Sequence, residues 1–180
     1  MKYLVVYKSL EGHTAKIARI AADRLMTAAG SVDVLDADVS TGELDPANYD
    51  GVVVAAPVHQ RNHPETIISF VQAHRDDLNA KPTALISVSL SAAFADGLGD
   101  AQSYVDSFVA DGGWTPTAVC LAAGALRYSE YDFFQEQIIR HVVLRDREVK
   151  DLGGDYDFTD WDALRHFVDG FAAQARERSG

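Results

Sequence analysis

Apolar residues along the chain fall into two alternating rhythms, short continuous runs and longer stripes of three-to-four-residue spacing. The alternation predicts strands and helices in turn. Lys2–Tyr7 is apolar at nearly every position, as a strand covered on both faces must be. From Thr14 to about Ala29, Ile17, Ile20, Ala21, Leu25 and Ala28 share one helical stripe, and Gly30 stops it. Val32-Asp33-Val34-Leu35 is a more polar second strand, suited to a sheet edge. Gly51–Ala56 is the plainest buried strand, ended by Pro57. The loop Val58–His63 then leads into a helix with Pro64 at its first position and Ile67, Ile68, Phe70 and Val71 as its apolar face.

Pro82–Val88 predicts a fourth strand, Ser89–Asp100 a small polar loop, and Ala101–Ala110 a helix. Ala118–Ala122 predicts a fifth strand, which Gly124-Ala125-Leu126-Arg127-Tyr128 either continues or leaves. About thirty residues then interrupt the rhythm, with a helix predicted from Tyr131 to about Leu144 and a charged loop over Arg145–Asp157. Phe133, Phe134, Ile138, Val142 and Val143 give that helix a face for the core or for a second copy in a homodimer. Thr159-Asp160-Trp161-Asp162 resembles a capping box and opens a last helix with Trp161, Leu164, Val168, Phe171 and Ala175 inward.

Strands alternating with helices predict an α/β fold, a doubly wound parallel sheet with helices on both faces. Five strands fit the order 2-1-3-4-5, with an insertion near strand five at about 128–157. In such sheets ligands bind beyond the carboxyl ends at the switch point, here between strands one and three. At 180 residues and 47% apolar content the chain is expected to form a single domain over 1–180.

Composition narrows the partners. A net charge of −11 argues against a nucleic-acid partner and leaves room for a basic protein partner, a salt-rich habitat, or simply a solvated surface. No apolar run approaches membrane-spanning length, the longest being Ala118–Leu126 with Gly124 inside it, and no secretory leader is expected. The single Cys120, inside a predicted strand, is expected to be a structural thiol in a reducing cytoplasm. Six residues and an apolar segment separate it from Arg127, against the five and the loop that a phosphatase nucleophile needs.

The chemistry concentrates in Ser9-Leu10-Glu11-Gly12-His13-Thr14, between the first strand and the first helix. A helix start leaves N–H groups without intrahelical partners and carries partial positive charge, so it attracts anions. Ser9 and Thr14 add hydroxyl donors, and Gly12 permits positive φ and close backbone approach. The turn lacks the Lys and spacing of a nucleotide P-loop and lacks the GxGxxG fingerprint. Gly97-Leu98-Gly99 follows no strand and is discounted, as is metal binding by His59 and His63, for which no third ligand is evident.

S-x-x-G-x-T after the first strand resembles the phosphate loop of flavodoxins, which cradle FMN. The second half is more specific. Trp114-x-Pro116, then Ala123-Gly124-Ala125-Leu126-Arg127-Tyr128, Tyr131, and Phe158-Thr159-Asp160-Trp161 resemble the flavodoxin-like, quinone-dependent protoporphyrinogen oxidases of haem synthesis. The resemblance covers essentially the whole chain. It implies an FMN oxidoreductase acting on a porphyrinogen with a quinone acceptor. The runner-up is a flavodoxin-type carrier whose partner is a redox protein.

Carried over, Ser9, Leu10, Glu11, Gly12, His13 and Thr14 would hold the phosphate. Pro57, Val58, His59, Gln60, Arg61, Ser89, Leu90 and Ser91 would frame the ring, with Phe94, Arg127, Tyr128 and the rest of the Tyr128–Asp157 insertion on the substrate side. The ring loops hold no Trp or Tyr, which leaves His59 and Phe94 as stacking candidates. The loop Ser89–Asp96 also lacks the cation of the family pattern, and the insertion mixes Arg and Lys with many acids. A cytoplasmic protein is implied, free or peripheral to the inner face of the membrane, with weak docking to anionic lipid.

Overall fold

A computed structural model describes residues 1–39, 44–126 and 156–179. Five parallel strands form one sheet: β1 (Tyr3–Tyr7), β2 (Val32–Asp36), β3 (Gly51–Pro57), β4 (Thr83–Ser89) and β5 (Ala118–Ala123). Their order is β2-β1-β3-β4-β5, as the sequence predicts. The helices are α1 (His13–Ala29), α2 (Glu65–Ala73), α3 (Arg75–Asn79), α4 (Leu98–Gly112) and α5 (Trp161–Ser179). Arg127, Tyr128, the helix expected over Tyr131–Leu144 and the charged loop up to Asp155 lie outside the described residues.

The two-residue period of the strands divides the core between the two faces. Tyr3, Val5, Val53, Ala55, Ala84 and Ile86 pack with Ile17, Ala21 and Leu25 of α1 and Leu164, Val168, Phe171 and Ala175 of α5. Leu4, Val6, Val52, Val54 and Leu85 pack on the other face with Ile67, Val71, Leu78, Val105, Phe108 and Trp114. Trp114 is 1% exposed, and its indole N–H donates to Thr83 Oγ1 at 3.0 Å. Cys120 is partly buried in β5, where burial pushes its thiol up to about 11.

Several boundaries move for identifiable reasons. Pro64 is the extended residue before α2 rather than its first turn, and the helical stretch breaks at His74, where α3 begins. The expected loop after β4 contains two 3-10 turns, Ser91–Ala93 and Ala95–Gly97, and α4 starts at Leu98, three residues early. The capping box also resolves differently. Asp160 Oδ1 accepts from the N–H groups of Asp162 and Ala163, so Asp160 caps α5 and Thr159 is left for other work. After β5 the chain turns away into a two-stranded antiparallel ribbon, β6 (Ala125–Leu126) with β7 (Tyr156–Asp157).

Candidate functional site at the carboxyl end of the sheet

The loops leaving the carboxyl ends of the strands are laced to the neighbouring strand at their first residue. Lys8 N–H donates to Ala55 O at 3.2 Å, Val58 N–H to Val88 O at 2.7 Å, and Gly124 N–H to Ser89 O at 3.1 Å. β1 and β3 are adjacent although β2 comes between them in sequence, so the crevice opens where the winding reverses. The turns after β1, β3 and β4 therefore leave three adjacent strand ends, the candidate mouth of the site.

The turn after β1 has the geometry of an anion seat. Gly12 adopts φ 83° and ψ −13°, a left-handed conformation that costs a side-chain-bearing residue about 1–2 kcal/mol. No side chain caps α1, and its first turn carries no acidic residue, so its N–H groups face the turn. Thr14 is 3% exposed. Ser9 Oγ is the one buried side-chain oxygen or nitrogen among the described residues that has no hydrogen-bond partner. Buried hydroxyls are nearly always satisfied, and this one lies beside an uncapped helix start. A phosphate oxygen is the group this chemistry fits. Lys8 is paired with Asp38, so the donors of the turn itself are neutral. Leu10 is largely exposed at its tip.

The His13 ring is engaged with the start of α5. Its Nε2 lies 2.7 Å from Thr159 Oγ1, and its ring meets the edge of Trp161 at 5.5 Å. The side chain ties α1 to the start of α5, and what His13 offers a phosphate is its backbone N–H.

The turn after β3 is tighter than the sequence indicates. His59 and Asn62 exchange backbone hydrogen bonds at 2.9 and 3.0 Å, with Gln60 at φ 49° and Arg61 at φ 69° between them. Two consecutive positive-φ residues in a four-residue turn define a type I′ geometry, which normally selects Asn-Gly. Strained backbone of this kind concentrates at ligand clamps. The Arg61 guanidinium reaches toward Asp100 at the start of α4, 4.0 Å away, though both groups are well exposed. His63 turns inward instead. It is 5% exposed, its Nε2 is 3.0 Å from Ser87 Oγ, and burial pushes its pKa down to about 4. Among the described residues the metal-ligating side chains that converge are Asp45, His74 and Asp77, near the amino ends of β3 and β4, remote from this mouth.

The turn after β4 is held by its own hydroxyl and by a missing side chain. Ser89 Oγ accepts from Ala92 N–H at 3.2 Å, and Ser91 Oγ lies 3.5 Å from Tyr104 OH. A Cβ on Gly97 would stand 2.3 Å from Ser91 O, so glycine is required there by close backbone approach. Phe94 extends from this turn to Phe158, with ring centroids 5.7 Å apart, and Tyr156 stacks on Phe158 at 6.1 Å. Tyr156 and Phe158 reach the Phe94 side of the mouth only because β7 folds back on β6. Tyr156 falls inside the 128–157 insertion expected on the substrate side, whereas Phe158 enters the sequence reading only through the Phe158–Trp161 string and is given no place at the site.

The comparisons with known proteins agree with this fold. A family model described as a flavodoxin domain matches residues 4–151. A protoporphyrinogen IX dehydrogenase [quinone] of Leishmania major is 31% identical over 96% of this chain and 75% of its own length. The Escherichia coli K12 protein of the same name is 28% identical over 93% of both chains. Among solved structures, a flavodoxin of Streptococcus pneumonia TIGR4 superposes with TM-score 0.59 at 18% identity, covering 99% of both chains. A Fusobacterium nucleatum flavodoxin bound to flavin mononucleotide gives TM-score 0.53 at 10% identity, again over 99% of both.

Proposed function

Because the chain belongs to the flavodoxin domain family, we propose that it is an FMN-dependent oxidoreductase taking electron pairs from protoporphyrinogen IX and passing them to a quinone. The observation that carries the cofactor is the buried, unpartnered Ser9 Oγ beside the uncapped start of α1. Ser9, the N–H groups of Gly12 and His13, and Thr14 would hold the phosphate. The turns Pro57–Arg61 and Ser89–Ser91 would frame the ring. When bound, FMN supplies the electron-accepting chemistry, and the protein's share is to hold the ring edge against the substrate and keep water from it. The substrate is supported by the two relatives named for it, which match nearly the whole of this chain.

The neutral donor set suits this work. A phosphate held by backbone and hydroxyl groups is fixed by direction rather than by a mobile cation. Phe94, Phe158 and Tyr156 give the mouth an apolar wall on the side where the ribbon begins, against which a macrocycle can lie flat. No helix among the described residues is long and apolar enough to cross a membrane, so a membrane quinone would be met from the surface.

The net charge of −11 favours a second reading, an electron carrier that docks on a basic redox protein. Anaerobic protoporphyrinogen IX offered to the FMN-loaded protein with a soluble quinone separates the two. Many turnovers per flavin are expected of the oxidase. No turnover, with electrons exchanged only with protein donors, would establish the carrier.

A further inference from the structure

We propose that Thr159 is a positioning residue for the phosphate seat, acting through His13, and that it joins the seat to the β6–β7 ribbon. The inference rests on the FMN reading above. Ala123 O can only accept, so the Thr159 hydroxyl proton goes to it, at 2.7 Å. The Thr159 oxygen is then left to accept, and His13 Nε2 at 2.7 Å must be the donor. The chain of donation runs from His13 Nε2–H to Thr159 Oγ1–H to the Ala123 carbonyl. It starts on the first residue of α1 and ends on the last residue of β5. Thr159 is 9% exposed, so water competes little for these bonds.

A second set of contacts holds the same helical turn. Asp157 Oδ1 accepts from Thr159 N–H at 3.1 Å, and its Oδ2 accepts from the Trp161 indole N–H at 3.2 Å and lies 3.4 Å from Lys16 Nζ. Lys16 Nζ also sits over the Trp161 ring, 4.1 Å from its centroid. His13 and Lys16, one turn apart on α1, are thus both held by residues 157–161. The sequence of α1 supplies no equivalent, because Gly12 has no side chain and nothing caps the helix from within. The direction in which the first N–H groups point is set from outside the helix. The outside element is also tied to the β6–β7 ribbon, where Asp157 pairs with Ala125.

Comparing FMN with riboflavin, which lacks the phosphate, isolates the seat from the ring site. Binding is read by flavin fluorescence quenching on wild type, Thr159→Val, Thr159→Ser and Asp157→Asn. Thr159→Val should weaken FMN roughly ten-fold, the scale of one lost positioning hydrogen bond, and leave riboflavin unchanged. Thr159→Ser should restore FMN. Asp157→Asn, a change at an exposed position that keeps the fold if Thr159→Val does not, should show a smaller loss confined to FMN. Equal losses for both flavins, or none, in both Thr159→Val and Asp157→Asn would overturn the role of residues 157–159. Wild-type protein that shows no preference for FMN over riboflavin would overturn the phosphate seat, and the proposal with it.

Discussion

Replacing Ser9 by Ala should move stability and cofactor affinity in opposite directions. The Ser9 hydroxyl is buried without a partner among the protein's own groups, and an unsatisfied buried polar group costs about 1–3 kcal/mol. Alanine removes that cost and gives up the packing of one oxygen atom. The flavin-free variant should therefore be more stable, by about 1 kcal/mol. On the proposed reading the same hydroxyl would donate to a charged phosphate oxygen of bound FMN, a bond of about 1.5–3 kcal/mol. Its loss raises Kd roughly 10- to 100-fold. Urea unfolding of the flavin-free protein and a fluorescence titration with FMN measure the two effects separately. A purely structural serine would give the reverse pattern. A flavin-free variant destabilised by more than about 1 kcal/mol, with FMN affinity intact, would refute the reasoning that Ser9 is held ready for a ligand.

Thr14→Val should weaken FMN by roughly 1–3 kcal/mol, because a charged acceptor loses a buried donor; unchanged affinity would remove Thr14 from the seat. Gly97→Ala sets a methyl group 2.3 Å from the Ser91 carbonyl, so the turn must shift at a cost of about 1–3 kcal/mol. Thermal unfolding should show that loss, and riboflavin should weaken with FMN if the Ser91 turn frames the ring as proposed. His63 sets a pH dependence. It is held neutral in the fold with a pKa near 4, whereas an unfolded His takes up a proton near 6.5. Stability is full above pH 6.5 and falls as the pH drops from there to about 4, by roughly 3 kcal/mol in all. Asp33, Asp157 and Asp169, held below the usual carboxylate range, lose their contributions only at lower pH. His63→Gln, which keeps a partner for Ser87, should flatten the curve between pH 6.5 and 4 in urea titrations, and an unchanged slope would assign it elsewhere.

The architecture was legible because it is written in local periodicity. Continuous apolar runs such as Val52–Ala56 can only be strands covered on both sides, and the three-to-four spacing of Ile17, Ala21 and Leu25 can only bury one helix face. The turn before α1 was readable as a candidate anion seat for the same reason, since the hydroxyls of Ser9 and Thr14 and the backbone of Gly12 lie within six residues of each other. Arg127 and Tyr128, expected on the substrate side, fall outside the described residues.

Residues whose partners are distant in sequence were not legible. Thr159 matches a helix cap by every local rule, yet Asp160 takes that place because the Thr159 hydroxyl finds the Ala123 carbonyl and His13 instead. His13 stands inside a phosphate motif but sends its ring 146 residues along the chain. Gln60 and Arg61 take positive φ that neither residue favours, a conformation imposed by the exchange between His59 and Asn62. Sequence alone determined which segments would be strand and helix, since backbone geometry and burial along one element decide those. Tertiary structure alone decided which side chains would serve the site, because a hydrogen bond is worth making only where the fold brings donor and acceptor together out of water.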